Sequence, residues 1–225
     1  MYEASFLLLS VLILALSTAT AQTEITLIHG RKTVFQKKWP SNYDEAEKLI
    51  PAIESALSKA KSKPEGILVV NGPGNFTGLR IGVTIANTLV FTYDIPIFSI
   101  STFQFLQKKI PESLERTTAI LLKAGGGFVA LKKLNDKQAR LFHREKLPQI
   151  LSKGKINFLV TDMKAQEKKK YVLPKNTHWL PEKKLKAFSQ VVREYMKEKP
   201  QAHKMIKPLY LKPPTITISK KPIFA

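Results

Sequence analysis

A glycine-rich turn contains the residues whose types and spacing are most suited to binding a ligand. Residues 71–82 (NGPGNFTGLRIG) join an apolar run to a helix-like pattern. Backbone N–H groups at such a helix start can bind an anion. Neither nucleotide-binding motif is present, because the turn has no Lys for a P-loop and Gly72 and Gly74 are followed by Gly78, which misses the dinucleotide-binding spacing. We therefore interpret these glycines as residues that permit a tight turn and close helix packing.

No other part of the sequence suggests a catalytic or metal-binding site. The chain has no Cys, which excludes thiolate catalysis, disulfide bonds and Cys-ligated metal ions. Its four histidines form no H-x-x-x-H or H-E-x-x-H pair, so no metal site on a helix is predicted. No nucleophile–base pair or carboxylate cluster indicates a peptidase or an ATPase. We expect no catalytic residue and no metal ligand in this chain.

The positive charge of the chain is concentrated in its second half. The net charge is +20, and residues 1–104 hold 9 Lys or Arg against 8 Asp or Glu, whereas residues 105–225 hold 28 against 9. A field of this sign attracts polyanions, so nucleic acid or an anionic membrane surface is a candidate partner. Only 6 of the 37 cations are Arg, which favours contacts with phosphates over the recognition of bases. A lysine-rich composition without any partner is the alternative.

Residues 6–16 (FLLLSVLILAL) allow two interpretations. With the small residues 19–21 behind them, they resemble the apolar region and cleavage site of a signal peptide. However, residues 1–5 contain no Lys or Arg, and the run is too short to cross a bilayer as a helix. An uninterrupted aliphatic run is also typical of a strand buried on both faces in the middle of a sheet. For residues 1–11 an ordered extension, a signal and a misassigned start all stay open.

Periodicity divides the chain into two similar halves. The 225 residues, 44% of them hydrophobic, suffice for one large domain or two of about 100 residues. In residues 1–104 we predict strands over 12–16, 24–28 and 32–39, a helix over 44–61, a strand over 66–70, a helix over 77–93 and a strand over 95–100. Pro51 interrupts the first of these helices, so two short helices are the alternative there.

The second half repeats this order. In residues 105–225 we predict strands over 118–122, 128–131 and 138–146, a helix over 147–153, a strand over 157–161 and a helix over 183–198. Duplicated βββαβα lobes are the architecture of the actin-like (ASKHA, RNase H-like) fold, so we predict an α/β protein with two such lobes. Cleavage after Ala21 would remove the first central strand, so we favour an uncleaved, cytoplasmic chain.

The glycine-rich turn carries a resemblance to a known family. Residues 72–82 (GPGNFTGLRIG) closely resemble the GPGSFTGLRIG signature of the TsaB (YeaZ) family, with Asn75 in place of the usual Ser. The matching positions that we single out are Gly72, Pro73, Gly74, Phe76, Thr77, Gly78, Leu79, Arg80 and Gly82. Residues 13–20 (ILALSTAT), 49–53 (LIPAI) and 209–212 (LYLK) resemble the family's opening ILAIDTST, its LLPLI helix and its closing YLR. The resemblance covers most of the first lobe and the end of the chain, and it makes Pro51 a family feature inside one helix.

The resemblance implies a function. TsaB proteins are non-catalytic relatives of TsaD, the enzyme that transfers a threonylcarbamoyl group to the adenosine beside the anticodon of certain tRNAs. TsaB binds and supports TsaD, and the ATPase TsaE joins them. The resemblance thus implies a cytoplasmic scaffold or activator without a membrane partner and without a cofactor of its own, with ATP or ADP and metal bound by TsaD and TsaE. Without TsaD, a homodimer is compatible with the paired helices.

The resemblance also implies a partner interface. In the family, TsaB and TsaD contact each other through a helix bundle of their N-terminal lobes, which corresponds here to the helices over 44–61 and 77–93. The candidate contact residues are Leu49, Ile53 and Leu57 on the first helix and Leu79, Val83, Ala86 and Val90 on the second. The alternative is that some of these side chains pack inside the lobe.

The sequence departs from the family in two places. Ser17 stands where the family opening has Asp, the kind of carboxylate that an actin-like ATPase needs to place metal and water, so we expect no ATPase activity. Residues 123–128 (KAGGGF) replace the family's DARRGE and lose both acidic residues. The second lobe is therefore divergent, and we hypothesise that its charge lies against tRNA. The candidate contacts are Lys168, Lys169, Lys170, Lys183, Lys184, Lys220 and Lys221.

A function of another class is the alternative. If residues 1–21 are a signal peptide, the chain is an exported basic binding module. The intact mass of the native protein separates the two hypotheses. Export predicts the mass of a chain that begins at Gln22, because the signal peptide has been cleaved.

Overall fold

The aliphatic run near the start of the chain forms the central strand of a five-stranded sheet in this computed structural model, which describes residues 11–42 and 44–212. The strands are β1 (Leu12–Ser17), β2 (Gln22–His29), β3 (Lys32–Pro40), β4 (Gly66–Val70) and β5 (Ile97–Ile100). They lie in the order β3-β2-β1-β4-β5, and β1 pairs antiparallel with β2 and parallel with β4. Every side chain of β1 is buried, as expected for a strand covered on both faces. The buried-strand prediction is thus confirmed for residues 12–17, whereas residues 1–10 lie outside the described residues.

Two long helices cover one part of this sheet. α1 (Glu45–Ala60) packs on β2 and β3, and α2 (Phe76–Tyr93) packs on β1 and β4 and contacts α1. α1 is one continuous helix of 16 residues, so the alternative of two short helices is wrong. Pro51 removes one backbone hydrogen bond, but it lies on the exposed side of α1. The opposite side of α1 stays packed in the core through Leu49, Ile53 and Ala56.

The second sheet repeats the topology of the first. It contains β6 (Thr118–Lys123), β7 (Phe128–Lys133), β8 (Arg140–His143), β9 (Phe158–Thr161) and β10 (His178–Trp179). The order β10-β9-β6-β7-β8 again places the first strand of the lobe at the centre. The helices α4 (Leu147–Lys153) and α5 (Ala165–Lys168) of this lobe are short. The third strand, predicted over 138–146, is shorter than expected because a 3₁₀ turn over Arg144–Lys146 follows β8.

The last helix belongs structurally to the first lobe. α3 (Thr102–Lys109) leads from the first sheet toward the second, and α6 (Phe188–Lys197) packs against both α3 and β2. The rings of Phe188 and Phe105 meet edge to face, with centroids 5.3 Å apart. The prediction placed α6 and the segment after it in the lobe over 105–225, whereas in the structure they pack with the first lobe. An amphipathic pattern shows that one face of a helix is buried, but it does not show which lobe buries it.

Candidate functional site

The glycines of the family-like motif bring α2 into contact with the turn after β1. A Cβ atom at Gly74 would lie 1.9 Å from the carbonyl oxygen of Ala19, and one at Gly78 would lie 2.5 Å from that of Thr18. A Cβ atom at Gly82 would lie 2.1 Å from the Thr18 hydroxyl oxygen. These distances leave no room for a side chain. The interpretation of the glycines as packing residues agrees with this geometry.

The beginning of the motif contacts the C-terminal segment of the chain. Gly72 has φ +104°, and a Cβ atom there would lie 2.4 Å from the carbonyl oxygen of Leu209. The N–H of Leu209 donates to the carbonyl oxygen of Asn71 at 2.7 Å, and the N–H of Thr102 donates to that of Gly72 at 2.7 Å. The peptide bond between Gly72 and Pro73 is cis. Two of the sequence segments that resemble the family therefore lie against each other.

Two side chains of the motif complete this contact. The guanidinium carbon of Arg80 lies 3.8 Å from the ring centroid of Phe76, and its Nε donates to the hydroxyl of Tyr210 at 3.0 Å. The rings of Phe76 and Tyr210 are 5.2 Å apart. Arg80 thus combines a cation–π contact with a hydrogen bond to the closing segment. Sequence analysis singled out the two segments but did not predict that they meet.

Asn75 links the starts of α1 and α2. Its N–H donates to the carbonyl oxygen of Ala19 at 2.8 Å, and its Nδ2 donates to Ser41 Oγ at 3.2 Å. The Ser41 hydroxyl in turn donates to the carboxylate of Glu45, a buried residue in the first turn of α1. The longer amide of Asn75 therefore reaches a hydroxyl on the neighbouring loop, which ties both helix starts together.

A cleft of about 620 Å³ lies between the lobes beside this motif. The motif and the closing segment form one wall, and the turn over residues 124–126 with Lys123, Asp162 and Glu167 forms the other. Burial raises the pKa of Asp162 to about 7. The hydrogen bond that its carboxylate accepts from the backbone N–H of Lys123 lowers this pKa, but burial has the larger effect. A hydrogen bond to Glu167 raises the pKa of the Lys123 ammonium. The cleft thus holds one carboxyl group that changes its charge near neutral pH.

Ser17 does not supply the group that an ATPase would need in this cleft. It is fully buried in β1, and its hydroxyl lacks a hydrogen-bond partner within the described part of the chain. Residues 11–42 and 44–212 contain no cluster of three or more His, Asp or Glu side chains that could hold a metal ion. Across the same residues, no helix has both the length and the apolar character to span a bilayer.

Comparison with known proteins supports the family resemblance. A family model described as "TsaD: tRNA N6-adenosine threonylcarbamoyltransferase" matches residues 42–136. The tRNA threonylcarbamoyladenosine biosynthesis protein TsaB of Bacillus subtilis (strain 168) is 33% identical over 97 residues, which cover 42% of this chain and 42% of that protein. The protein of the same name from Buchnera aphidicola subsp. Schizaphis graminum (strain Sg) is 29% identical over 169 residues, which cover 73% of this chain and 78% of that protein. These matches support the TsaB (YeaZ) family for this chain.

Solved structures show the same fold. YeaZ from Pseudomonas aeruginosa matches 89% of this chain and 100% of its own chain at 17% identity, with a TM-score of 0.62. A Pseudomonas aeruginosa protein described as similar to peptidase YEAZ matches 90% of this chain and 100% of its own at 19% identity, with a TM-score of 0.68. Together with the duplicated sheets, these matches confirm the two-lobed actin-like fold.

The residues predicted as the partner interface lie mainly in the core of the first lobe. Leu49, Ile53, Leu79, Val83, Ala86 and Val90 are all buried, and Leu57 is half-buried. They fill the space between the two helices and the sheet. The alternative interpretation, that some of these side chains pack inside the lobe, therefore holds for the six buried ones. In this conformation, the six buried side chains offer no surface to TsaD.

The outward sides of the same helices carry a second apolar set. Ile50 of α1 is 49% exposed, whereas Ile81, Ile85 and Leu89 of α2 are half-buried and pack in part against the core. Sequence analysis missed these residues because it followed the strongest apolar stripe, which faces the sheet. A usable signal was present, since Arg80 is the only charged residue of α2. A helix that is apolar on more than one side usually has both sides covered.

The lysines proposed for tRNA binding are only partly brought together. Lys168 is half-buried with its ammonium 5.6 Å from the ring of Trp179, and burial lowers its pKa. Lys168 and Glu182 line the same groove of about 460 Å³ between the lobes, so the 3₁₀ turn that contains Lys183 and Lys184 lies beside it. The exposed side chains of this set are Lys169, Lys170, Lys183 and Lys184. Lys220 and Lys221 lie outside the described residues.

Proposed function

We propose that this chain supports the formation of N6-threonylcarbamoyladenosine in tRNA by binding TsaD, without a catalytic site of its own. The names of its relatives, tRNA threonylcarbamoyladenosine biosynthesis protein TsaB, support the pathway. The alignment with the Bacillus subtilis protein spans 42% of that relative, and the one with the Buchnera protein spans 78%. TsaE is the further protein partner in this proposal, and the complex is cytoplasmic. TsaD and TsaE bind the ATP or ADP and the metal.

The outward apolar face of α1 and α2 is the observation that carries the TsaD contact. Ile50, Ile81, Ile85 and Leu89 form this face, which we call the helix-pair face. Ile50 and the uncovered parts of the three half-buried side chains gain hydrophobic stabilisation only when a partner covers them. The family model of TsaD matches residues 42–136, which include both helices. TsaD therefore has a counterpart of the same helix pair, and two such pairs can pack as a four-helix bundle.

The absence of a carboxylate at Ser17 supports the non-catalytic part of the proposal. A phosphate-transferring site in this fold needs an acidic side chain in the first turn to hold metal and water. The buried Ser17 hydroxyl cannot replace that charge. The chain instead contributes its surfaces: the helix-pair face for TsaD and the exposed lysines of the second lobe for the tRNA phosphates.

Co-purification with the TsaD protein of the same organism tests the proposal. The variant Ile50→Glu with Ile85→Glu places two carboxylates in the helix-pair face, and we expect it to lose the complex, at least a hundredfold in Kd. Ile53→Glu is unsuitable because Ile53 is buried in the lobe and its change would disturb folding.

Val172→Glu is the matched control for this experiment. Val172 is an apolar β-branched side chain in the second lobe and is 76% exposed, so the same chemical change occurs away from α1 and α2. The far-UV circular dichroism of both variants should equal that of the unaltered chain. A double variant that binds TsaD as tightly as the control does would exclude the helix-pair face as the contact.

A further inference from the structure

A second apolar surface lies beside α2 and is not part of the helix-pair face. Phe76 and Phe91 of α2 are 38% and 89% exposed, and Met205 and Leu209 of the C-terminal segment are 63% and 46% exposed. We call these four side chains, with Arg80 and Tyr210, the α2 strip. At 3.6 residues per turn, Arg80 points about 100° away from Ile81, and Phe91 about 120° away from Ile85. The strip and the helix-pair face are therefore different sides of α2.

Hydrogen bonds hold the two edges of the α2 strip together. The Asn87 amide donates to the carbonyl oxygen of Ile206 at 2.9 Å and accepts from its N–H at 3.1 Å. Near the other end, Arg80 bonds to Tyr210 at 3.0 Å. Residues 206–210 thus run antiparallel to α2. Phe76 and Phe91 are 15 positions apart, so at 1.5 Å per residue the strip is about 22 Å long.

The charge of the α2 strip has one sign. Neither residues 76–93 nor residues 201–212 contain an Asp or Glu. Arg80, Lys204 and Lys207 supply positive charge along the strip, and Asp94 caps the far end of α2. A fixed surface that combines large apolar side chains with cations matches a ligand that is apolar along its centre and acidic along its edges.

We propose that the α2 strip binds an amphipathic helix of a partner protein whose apolar face is flanked by acidic residues. A strip of this length spans about four turns of such a helix. The apolar side chains of the ligand would cover Phe91, Met205 and Leu209, and its carboxylates would pair with Arg80, Lys204 and Lys207. This binding mode is the insertion of a helix into a groove.

Two other occupants fit the α2 strip less well. Stacked bases of RNA need free ring faces, but the ring of Phe76 already contacts Arg80 at 3.8 Å and Tyr210 at 5.2 Å, and Met205 and Leu209 have no ring. A second copy of this chain would bring another strip without acidic residues, so cations would face cations across the contact.

Photo-crosslinking tests the proposal. The chain carries p-benzoylphenylalanine at position 91 in one version and at position 172 in another, and each is expressed and irradiated in the native host. Both positions are highly exposed, so the replacements leave the core unchanged. We expect position 91 to capture a segment with apolar residues at helical spacing and Asp or Glu beside them, and position 172 not to capture it. A labelled peptide of that segment should bind the unaltered chain and bind Phe91→Ser at least tenfold more weakly, with Val172→Ser unchanged.

Other results would overturn the proposal. These are the capture of RNA, of a second copy, of a basic or non-helical segment, or of nothing beyond the products of position 172. The Ile50→Glu, Ile85→Glu variant separates this inference from the proposed function, because it should lose TsaD and still capture the same segment through position 91. Loss of both would show that the two surfaces belong to one interface, which contradicts a separate binding site.

Discussion

The two lobes contain sheets of the same topology, but helices of very different length cover them. The orders β3-β2-β1-β4-β5 and β8-β7-β6-β9-β10 both place the first strand of the lobe at the centre. In the first lobe, α1 has 16 residues and α2 has 18, whereas α4 and α5 of the second lobe have 7 and 4. Long helices give the first lobe apolar outer faces, and the second lobe presents mainly lysines. The two sheets thus share one topology, and the helices and loops that cover them determine what each lobe can bind.

The hydrophobic core is also divided unequally. α6 comes from the second half of the sequence, yet Phe188, Val191 and Val192 pack in the core of the first sheet. The second lobe has a separate and smaller cluster that includes Leu121 and Leu147. The larger cluster also includes Ile120, Leu122 and Val160 of the second sheet, so it joins one face of that sheet to the first lobe.

The glycine turns of the two lobes offer the largest expected contrast. Gly74→Ala places a Cβ atom 1.9 Å from the carbonyl oxygen of Ala19, so α2 must move away from the turn after β1. We expect this variant to lose about 3 kcal/mol or more of unfolding free energy, or to fail to fold. Urea denaturation followed by circular dichroism measures the loss.

Gly126→Ala is the same substitution in the glycine turn between β6 and β7 of the second lobe. No atom lies within 4 Å of the added Cβ, and only the φ of +56° opposes the side chain. The expected cost is therefore about 1 kcal/mol. If both variants lost the same free energy, the close packing of the first turn would not be what requires its glycines.

The sequence predicted most strands and helices well because the patterns that indicate them lie within single segments. The aliphatic run of β1, the stripe of α1 and the glycines before α2 each report on their own segment. Segments that meet from distant parts of the chain could not be predicted in this way. The contact of Arg80 with Tyr210 joins positions 130 apart, and α6 packs on a strand far from it in sequence.

Burial explains why the proposed interface differs from the residues that the sequence predicted. Leu79 and Val83 belong to the most regular apolar stripe of α2, and the same regularity is what the core of the lobe requires. Ile81 and Ile85 lie on the opposite side of the helix, where apolar residues mix with Thr84 and Thr88. The proposed partner surface is thus the weaker of two apolar patterns on one helix, and only the structure separates it from the core.

The charge difference between the lobes predicts a difference in tRNA binding. Changing Lys169, Lys170, Lys183 and Lys184 to Glu reverses four exposed charges of the second lobe. We expect the affinity of the assembled complex for tRNA to fall about tenfold or more, and the slope of log K against log salt to become shallower, because fewer counterions are released. Filter binding at several salt concentrations measures both quantities.

The control for this prediction reverses four exposed lysines of the first lobe. Lys32, Lys37, Lys61 and Lys63 lie outside α1 and α2 and give the same change in net charge. Their replacement by Glu should alter tRNA binding much less if the second lobe provides the contact. Equal losses in the two variants would mean that only the total charge matters, and the tRNA surface would not be located in the second lobe.

The smallest expected contrast concerns two carboxyl groups with opposite pKa shifts. Burial raises the pKa of Asp162 in the second lobe to about 7, whereas a hydrogen bond from Lys48 lowers the pKa of Asp44 in the first lobe. A group whose pKa is raised on folding stabilises the protein below its unfolded pKa, and this contribution is lost as the pH rises through the folded pKa. Folding therefore becomes less favourable between about pH 4 and pH 8 because of Asp162.

Asp162→Asn should remove this loss. Since the amide stays neutral, we expect the variant to be more stable than the unaltered chain at pH 8, on the order of 1–2 kcal/mol, and nearly equal to it at pH 4. Asp44→Asn should act in the opposite direction and lower stability at neutral pH, because the ammonium of Lys48 loses its charged partner. Urea denaturation of the three proteins across this pH range measures the effect. A stability change in Asp162→Asn that is the same at pH 4 and pH 8 would show that the carboxyl group is not desolvated in the cleft.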